Sequence, residues 1–484
     1  MSYQGFPKRP CTEEQDFCAI KKAAAELFRV NRVPQEVERA LNELFFHKPG
    51  DVYGYLANYF TTLSAPPPIS RLNGREIYDS GGKLSVETEV FCIVCNKEKV
   101  KFITFSEKDI QNKKEEESCL SSKSEAVLPS PPSAKTKDKK SVDKGRKSNT
   151  AEKSLPPAEP PEPLLRGSLA IGSVSLAVAK TGAQIQDVPL YKYIAALKNK
   201  EFHIPVSLVT LLSCGKNSPG NLSLLEEIIL IPKTGQRIRQ IITMTLELQK
   251  EMMRIINTST KTGVRDAAIY SFYERPEQPL DLITEVCTNI GLALGTEIHL
   301  ALNCAASELM DYSKGKYEVA TGVLKTPDEL VDLYQTLITK YPAVVALIDP
   351  FRREDKEQWE KLSNAIGHSC LLLSDITYKS KVPPLPGVRG HILKHTCETT
   401  VSDLIHLASE HQGTSLPGNQ VSVSPLPQAV GLGLDYVKLG GLSGAERMTK
   451  YNRLISIEEE LAEQGILGRL FLYSEAEWVN MTFS

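Results

Sequence analysis

The sequence contains no run of about 18 apolar residues, the length that a membrane-spanning helix requires. Its first residues, MSYQGFPKRPCTEEQDF, include no apolar stretch typical of a signal peptide. Neither charge is in excess, because 57 Lys and Arg accompany 59 Asp and Glu, so the composition does not favour a nucleic-acid-binding protein with a basic surface. The ten cysteines are scattered over 484 residues and indicate no disulfide framework. We therefore expect a cytoplasmic protein with reduced thiols, with neither a membrane nor a nucleic acid as partner.

Residues 17–65 have the pattern of amphipathic helices. Apolar side chains recur with the spacing i, i+3, i+4, i+7, i+8 over residues 37–45 and again over 52–60. Pro49 and Gly50 separate the two repeats and predict a turn between them. Two short amphipathic helices cannot bury their apolar faces alone, so we expect this segment to be a helical dimerisation and docking hairpin.

Residues 106–165 differ in composition from the rest of the chain, since they are rich in Lys, Ser, Glu and Pro. Such a segment buries too little apolar surface to offset the entropy lost on ordering, which favours a disordered linker. Residues 135–153 are the most basic part, with eight Lys and Arg against three Asp and Glu. A local contact with an anionic partner is therefore the alternative interpretation of that part.

Short apolar runs alternate with helical stretches from residue 166 onward. Fully buried runs of this kind indicate parallel strands joined by helical crossovers, and seven or eight such units would form a β/α barrel. The apolar runs are 228–231, 298–302, 343–348, 370–373, 391–393, 421–423 and 434–437. In a β/α barrel, polar residues just after a strand lie at the catalytic end. The polar residues in these places are Asn303, Asp349, Ser374, Asp375, Lys394 and Lys438.

Several motifs resemble those of the enolase family. Residues 75–90 are similar to its opening hairpin, and residues 174–180, VSLAVAK, are similar to its first helix. Residues 304–308, CAASE, and 349–351, DPF, resemble two barrel motifs. Residues 446–452, ERMTKYN, resemble the start of its last helix. The motifs occur in the family's order, so the joint match is specific.

The resemblance implies an α/β fold with an enolase-type α+β domain before an eight-stranded β/α barrel, whose second strand runs against the others. It places the α+β domain at 66–201, interrupted by the linker at 106–165, and the barrel domain at 202–484. It implies a lyase of glycolysis that interconverts 2-phosphoglycerate and phosphoenolpyruvate plus water with magnesium as cofactor. The match is to a divergent, sperm-type branch, which implies a place in the sperm flagellum.

Three residues match groups that act on the substrate in the family. Lys394 matches the lysine that removes the proton beside the carboxylate, and Lys438 matches the lysine that grips the substrate. Glu227 matches a carboxylate that acts near the substrate and water. The substrate that the resemblance implies is a small phosphorylated three-carbon acid.

The metal positions depart from the family pattern. Asn303, Ile348 and Ser374 stand where the family has Asp, Glu and Asp, so no metal ligand is retained. Asp349 and Asp375 lie one residue further on, but adjacent strand residues face opposite ways. Magnesium prefers carboxylate and other hard oxygen ligands, so we expect it to bind weakly.

Other departures leave two functions open. Ser218 stands where the family has a histidine, and residues 265–269 and 424–427 replace an acidic turn and an arginine-bearing loop. The retained lysines favour a working lyase, whereas the losses favour a catalytically weak or inactive enolase-fold scaffold that docks flagellar partners. Residues 34–60 resemble the dimerisation-docking helices of the type II regulatory subunit of protein kinase A. This likeness implies a homodimer that binds amphipathic anchoring helices.

Overall fold

The computed structural model describes residues 14–78, 84–106, 168–199, 202–214, 221–259, 273–375, 385–393, 399–410, 419–422 and 426–466. The chain divides into two compact units. The first contains Met1–Leu72 and Val90–Val100, and the second contains Asn73–Glu89 and Lys101–Ser484. The predicted linker lies outside the described residues from residue 107 onward.

Three helices form most of the first unit: α1 (Glu14–Val30), α2 (Val33–His47) and α3 (Val52–Thr62). Helix α2 ends at His47, and Lys48 follows it in a left-handed conformation with φ of 45°. The Asp51 side chain accepts a hydrogen bond from the backbone N–H of Gly54 at 2.9 Å, which satisfies one of the free donors at the start of α3. The turn therefore lies at the Pro49-Gly50 break.

Three strands follow in a sheet of order β1-β2-β3: β1 (Ile69–Tyr78), β2 (Leu84–Val94) and β3 (Lys97–Ser106). Strands β2 and β3 are joined by Cys95 and Asn96, whose φ angles are 50° and 60°. Two positive φ values are typical of a type I′ turn, whose twist matches that of the flanking strands.

The remaining described elements belong to the second unit. Its helices are α4 (Ser168–Ile185), α5 (Leu190–Lys198), α6 (Ile238–Ser259), α7 (Glu277–Ile290), α8 (Pro327–Lys340), α9 (Lys356–Ile366), α10 (Val401–Glu410), α11 (Leu426–Gly431) and α12 (Ala445–Glu463). Its strands are β4 (Val206–Ser213), β5 (Glu227–Pro232), β6 (Ile298–Asn303), β7 (Met310–Asp311), β8 (Lys316–Ala320), β9 (Val323–Lys325), β10 (Val344–Ile348), β11 (Leu371–Asp375), β12 (Val388–Leu393), β13 (Asn419–Ser422) and β14 (Tyr436–Gly440). None of the helices in the described part of the chain is both long and apolar enough to cross a membrane.

Eight strands close into a barrel in the order β4-β5-β6-β10-β11-β12-β13-β14, and β14 pairs with β4. Strand β5 is antiparallel to both neighbours, whereas the other pairings are parallel. The predicted α/β fold with an eight-stranded barrel is thus confirmed, including its reversed second strand. The apolar runs missed one strand, β4, because Ser207 and Thr210 interrupt its pattern although both are buried.

The two faces of each barrel strand pack in different layers. One cluster consists of strand residues that fill the barrel interior, including Leu208, Ile229, Ile231, Ala301, Ile348, Leu373, Ile392 and Tyr436. The alternate residues pack outward in a larger cluster that also contains helix residues such as Ile241 and Leu330. Because successive strand residues face opposite ways, these two layers fix the face of each polar residue at the strand ends.

Candidate active site at the open end of the barrel

Glu227 lies at the end of the barrel where the parallel strands finish. It is the first residue of β5, and the reversed direction of that strand places it beside Ser213 at the end of β4 and Asn303 at the end of β6. Asn303 is in turn level with Ile348, the last residue of β10. One end of the barrel therefore collects residues that are far apart in the sequence.

Alternation turns four polar side chains toward the interior of this end. Glu227 and Asn303 each lie two residues from an interior side chain, and so do Thr210 and Lys438. The Lys438 ammonium forms an ion pair with the Glu227 carboxylate, and the two side chains are 17% and 19% exposed. Asn303 Nδ2 donates to Glu227 Oε2 at 3.3 Å, and Thr210 Oγ1 donates to Oε1 at 3.4 Å.

The Glu227 carboxyl group has a lowered pKa. Burial acts in the opposite direction and on its own would raise the pKa, but the charge of Lys438 and hydrogen bonds from Lys438, Asn303 and Thr210 outweigh it. Glu227 is therefore a carboxylate at neutral pH, able to accept hydrogen bonds but not to donate one.

The three residues that the sequence analysis aligns with enolase metal ligands, Asn303, Ile348 and Ser374, do not fit magnesium. Ile348 is apolar, 3% exposed and packed among interior residues of neighbouring strands. In β11, Leu373 packs in the interior and Leu372 in the outer layer, so alternation assigns Ser374 to the outer face. Asn303 presents an N–H rather than an oxygen to Glu227. Magnesium requires an octahedral set of oxygen ligands, which these residues do not supply.

The two neighbouring aspartates occupy different backbone positions. Asp349 follows β10 in a left-handed conformation with φ of 46°. Its N–H donates to the carbonyl of Leu373 and its carbonyl accepts from the N–H of Ala306, each at 3.0 Å. Asp375 pairs in register with Ile392. Within the described ranges, no group of three or more His, Cys, Asp or Glu is arranged to hold a metal ion.

Lys394 directly follows β12, which ends at Leu393, and itself lies outside the described residues. Ser218 and residues 265–269 also lie outside them. The structure thus brings together Glu227 and Lys438 of the predicted substrate-binding residues.

Comparison with known proteins agrees with this architecture. Residues 201–382 match the family described as the enolase C-terminal TIM barrel domain. The chain is 43% identical to enolase 4 of Danio rerio over 576 aligned positions, which cover 100% of both chains. It is 39% identical to enolase 4 of Xenopus laevis, with 97% of this chain and 96% of the relative covered. It is 36% identical to human enolase 4, with 95% and 91% covered. The chain belongs to the enolase family.

Membership of the enolases confirms the resemblance to the fourth vertebrate enolase and supports a lyase-type ancestry for the barrel. Thr210 is the site residue that the sequence analysis missed, because its strand was not recognised. The pattern of Val206–Ser213 could have revealed Thr210, because alternation along a strand places Leu208 and Thr210 on one face and Val209 and Leu211 on the other.

Proposed function

We propose that the chain is an enolase-type lyase that interconverts 2-phosphoglycerate and phosphoenolpyruvate plus water in glycolysis. The observation that supports this most is the convergence of Glu227 and Lys438 at the end of the barrel where β12 leads into Lys394. Glu227 and Lys438 meet from strands two places apart, and β12, which precedes Lys394, lies across the barrel from β5. We therefore expect a small phosphorylated acid at this end of the barrel to contact all three groups. We also propose a cytoplasmic place in the sperm flagellum, which the resemblance of the sequence to the sperm-type branch implies.

In this proposal, Lys394 removes the proton from carbon 2 of the substrate. A second carbon–carbon bond then forms between carbons 2 and 3 as the bond from carbon 3 to its hydroxyl oxygen breaks. The hydroxide that leaves takes a proton from solvent to become water, and the Lys394 ammonium returns the proton of carbon 2 to solvent. An amine acts as a base only when it is neutral, and a positive charge close to an amine favours its neutral form.

Lys438 and Glu227 bind rather than transfer the proton from carbon. The Lys438 ammonium attracts the negatively charged substrate, which must compete with Glu227 for it. As a carboxylate, Glu227 accepts a hydrogen bond from the hydroxyl group that leaves. Family enolases supply further charge stabilisation through magnesium, but the residues at 303, 348 and 374 do not fit that ion, so no step here is assigned to it.

A coupled assay of phosphoenolpyruvate formation tests the proposal. Lys394→Ala should abolish turnover while the far-ultraviolet circular dichroism stays unchanged, because the residue follows a strand end. Lys250→Ala, which removes an exposed lysine from α6, is the matched control and should keep full activity. The proposal fails if the wild-type protein produces no phosphoenolpyruvate above background with or without magnesium.

The exposed apolar surface of the first unit favours a second function, docking. Val37, Leu41 and Phe45 lie one turn apart on α2 and are 41%, 52% and 77% exposed. An exposed apolar stripe of this kind marks a protein-binding surface. We propose that a second copy of the chain covers it and that the resulting dimer binds amphipathic anchoring helices of flagellar proteins.

Light scattering of the full chain tests the docking proposal. Leu41→Glu should lower the measured mass from dimer to monomer, because it places a charge within the apolar stripe. Gln35→Glu adds the same charge at another exposed position of α2 and should leave the mass unchanged. A wild-type monomer, or a Leu41→Glu dimer, would contradict the proposal.

A further inference from the structure

Three donors of the protein itself contact the Glu227 carboxylate. Oε2 contacts the Lys438 ammonium and accepts from Asn303 Nδ2, while Oε1 accepts from Thr210 Oγ1. The two strands that flank β5 each provide one donor, since Thr210 belongs to β4 and Asn303 to β6. Lys438 reaches the same carboxylate from β14.

The residue at position 303 decides whether the Glu227 carboxylate needs a cation beside it. An ionised carboxylate only accepts hydrogen bonds, so Asn303 must turn its NH₂ group toward Glu227 and its oxygen away. An aspartate in the same place would bring a second carboxylate against Glu227. Two carboxylates in contact repel each other unless a cation lies between them, as in the metal sites of the family.

Ile348, the neighbour of Asn303 in the barrel, also disfavours a cation at this place. Ile348 is level with Asn303 and fills the barrel interior beside it with apolar atoms. A hydrated divalent cation would lose its water there without gaining an oxygen ligand, which is unfavourable.

We propose that Asn303, which donates a hydrogen bond to Glu227 where the family has an aspartate, removes the need for a divalent cation at this carboxylate, so that this end of the barrel is organised without magnesium. Asn303 is then a positioning residue that orients Glu227, and Lys438 is the positive charge of the site. The inference deepens the proposed function, because it concerns how the same site is held ready for its anionic substrate. It predicts that magnesium neither stabilises the protein nor strengthens ligand binding.

Thermal unfolding in EDTA and in millimolar magnesium chloride tests the inference without reference to turnover. The melting temperature of the wild-type protein should be the same in both, at matched ionic strength. Asn303→Asp should lower the melting temperature in EDTA by about 3 °C or more, and magnesium should restore it, because the new carboxylate pair binds the ion. Asn303→Ala should also be less stable, but magnesium should not restore it.

Asn289→Asp is the matched control on the surface of the same unit. Asn289 Nδ2 donates to Glu251 Oε1 at 2.9 Å, and Glu251 also pairs with Arg254, so the chemistry resembles that around Glu227. Asn289 and Arg254 are both exposed, and Arg254 already supplies a positive charge to Glu251, so Asn289→Asp should show no recovery with magnesium.

Calorimetry with phosphoenolpyruvate as probe provides a measurement that does not depend on the variants. The dissociation constant of the wild-type protein should agree within about twofold between EDTA and magnesium. The inference would be overturned if magnesium raised the melting temperature of the wild-type protein and Asn303→Ala removed that rise. It would also be overturned if magnesium lowered the dissociation constant of phosphoenolpyruvate tenfold. Absence of turnover with unchanged melting temperatures would instead count against the proposed lyase activity alone.

Discussion

Two ion pairs of the barrel-containing unit are built in different ways. The partners Glu227 and Lys438 are 211 residues apart in the sequence, and their side chains remain 19% and 17% exposed. Arg352 and Asp355 lie three residues apart in the segment between β10 and α9 and are 1% and 5% exposed. The first pair joins β5 and β14, two barrel strands with only β4 between them, whereas the second stays within one turn of chain.

The Arg352–Asp355 pair is saturated with protein partners. Arg352 Nε and Nη2 donate to the two Asp355 oxygens at 2.9 Å each. The Tyr317 hydroxyl donates to Asp355 Oδ2 and accepts from the Arg352 backbone N–H, while Trp359 Nε1 donates to the Arg352 carbonyl at 3.0 Å. A bidentate pair without access to water is fixed in one geometry.

The comparison separates a structural ion pair from one that can be exchanged. The Arg352 guanidinium has no route to a ligand, because it is buried and its Nε and Nη2 both donate to Asp355. The Lys438 ammonium is partly open to water. The other two hydrogen bonds to its partner, Glu227, are long, at 3.3 and 3.4 Å. An anionic substrate can therefore compete for Lys438, whereas nothing can compete for Arg352.

The largest effect that we expect from the difference between the two ion pairs is on enzymatic turnover. We expect Lys438→Gln to lower kcat/KM by on the order of 10²–10³, the usual loss when a charge-stabilising group is removed from an active site. The coupled assay measures it, with Lys250→Gln as control. Turnover within about twofold of wild type would mean that Lys438, like Arg352, is only structural.

The next effect concerns stability. Asp355→Ala leaves the Arg352 charge buried without its partner, which should lower the free energy of unfolding by about 3–5 kcal/mol. Urea denaturation measures this loss.

Asp311→Ala is the control for the Asp355 variant. Asp311 also pairs with a cation three residues away, Lys314, but their side chains are 26% and 59% exposed. Asp311 also accepts hydrogen bonds from Ser313 and from the backbone N–H of Lys314. Its loss should still cost less than that of Asp355, because the Lys314 charge that remains is exposed to water. Equal losses from Asp355→Ala and Asp311→Ala would remove the distinction between the two kinds of ion pair.

The sequence predicts the barrel better than it predicts the contacts at its end. Strands such as β10, with five consecutive buried residues, stand out as apolar runs, because both faces of a parallel strand are covered. The site depends on partners that are distant in the chain, since Thr210 and Asn303 are 17 and 76 residues from Glu227. Residue spacing carries no information about such contacts. It likewise gives no reason to bury Arg352 and Asp355, because a charged segment between a strand and a helix is typical of a solvated loop.

The smallest effect concerns Glu458, a buried carboxyl group in α12. Among the described residues, Glu458 forms no ion pair. It is 2% exposed, and its Oε1 has no hydrogen-bond partner among them. Burial raises the pKa of Glu458, and the backbone N–H of Ile238 and the charges of Arg237 and Arg239 offset this only in part. Because the folded pKa exceeds the unfolded one, the protein loses stability as pH rises from the unfolded value through the folded one.

Glu458→Gln removes this loss while keeping an oxygen that can accept from Ile238. Its melting temperature should exceed that of the wild type by about 1–3 °C above the folded pKa, and the difference should vanish below the unfolded pKa, where both side chains are neutral. Glu459→Gln is the control, because its side chain is 54% exposed and pairs with Arg239 on the surface. Differential scanning calorimetry across this pH range measures the difference. If Glu458→Gln melts below the wild type at neutral pH, the arginines and the helix N–H stabilise the Glu458 carboxylate by more than its burial costs. Glu458 would then belong with Glu227 as a carboxylate that its surroundings keep ionised.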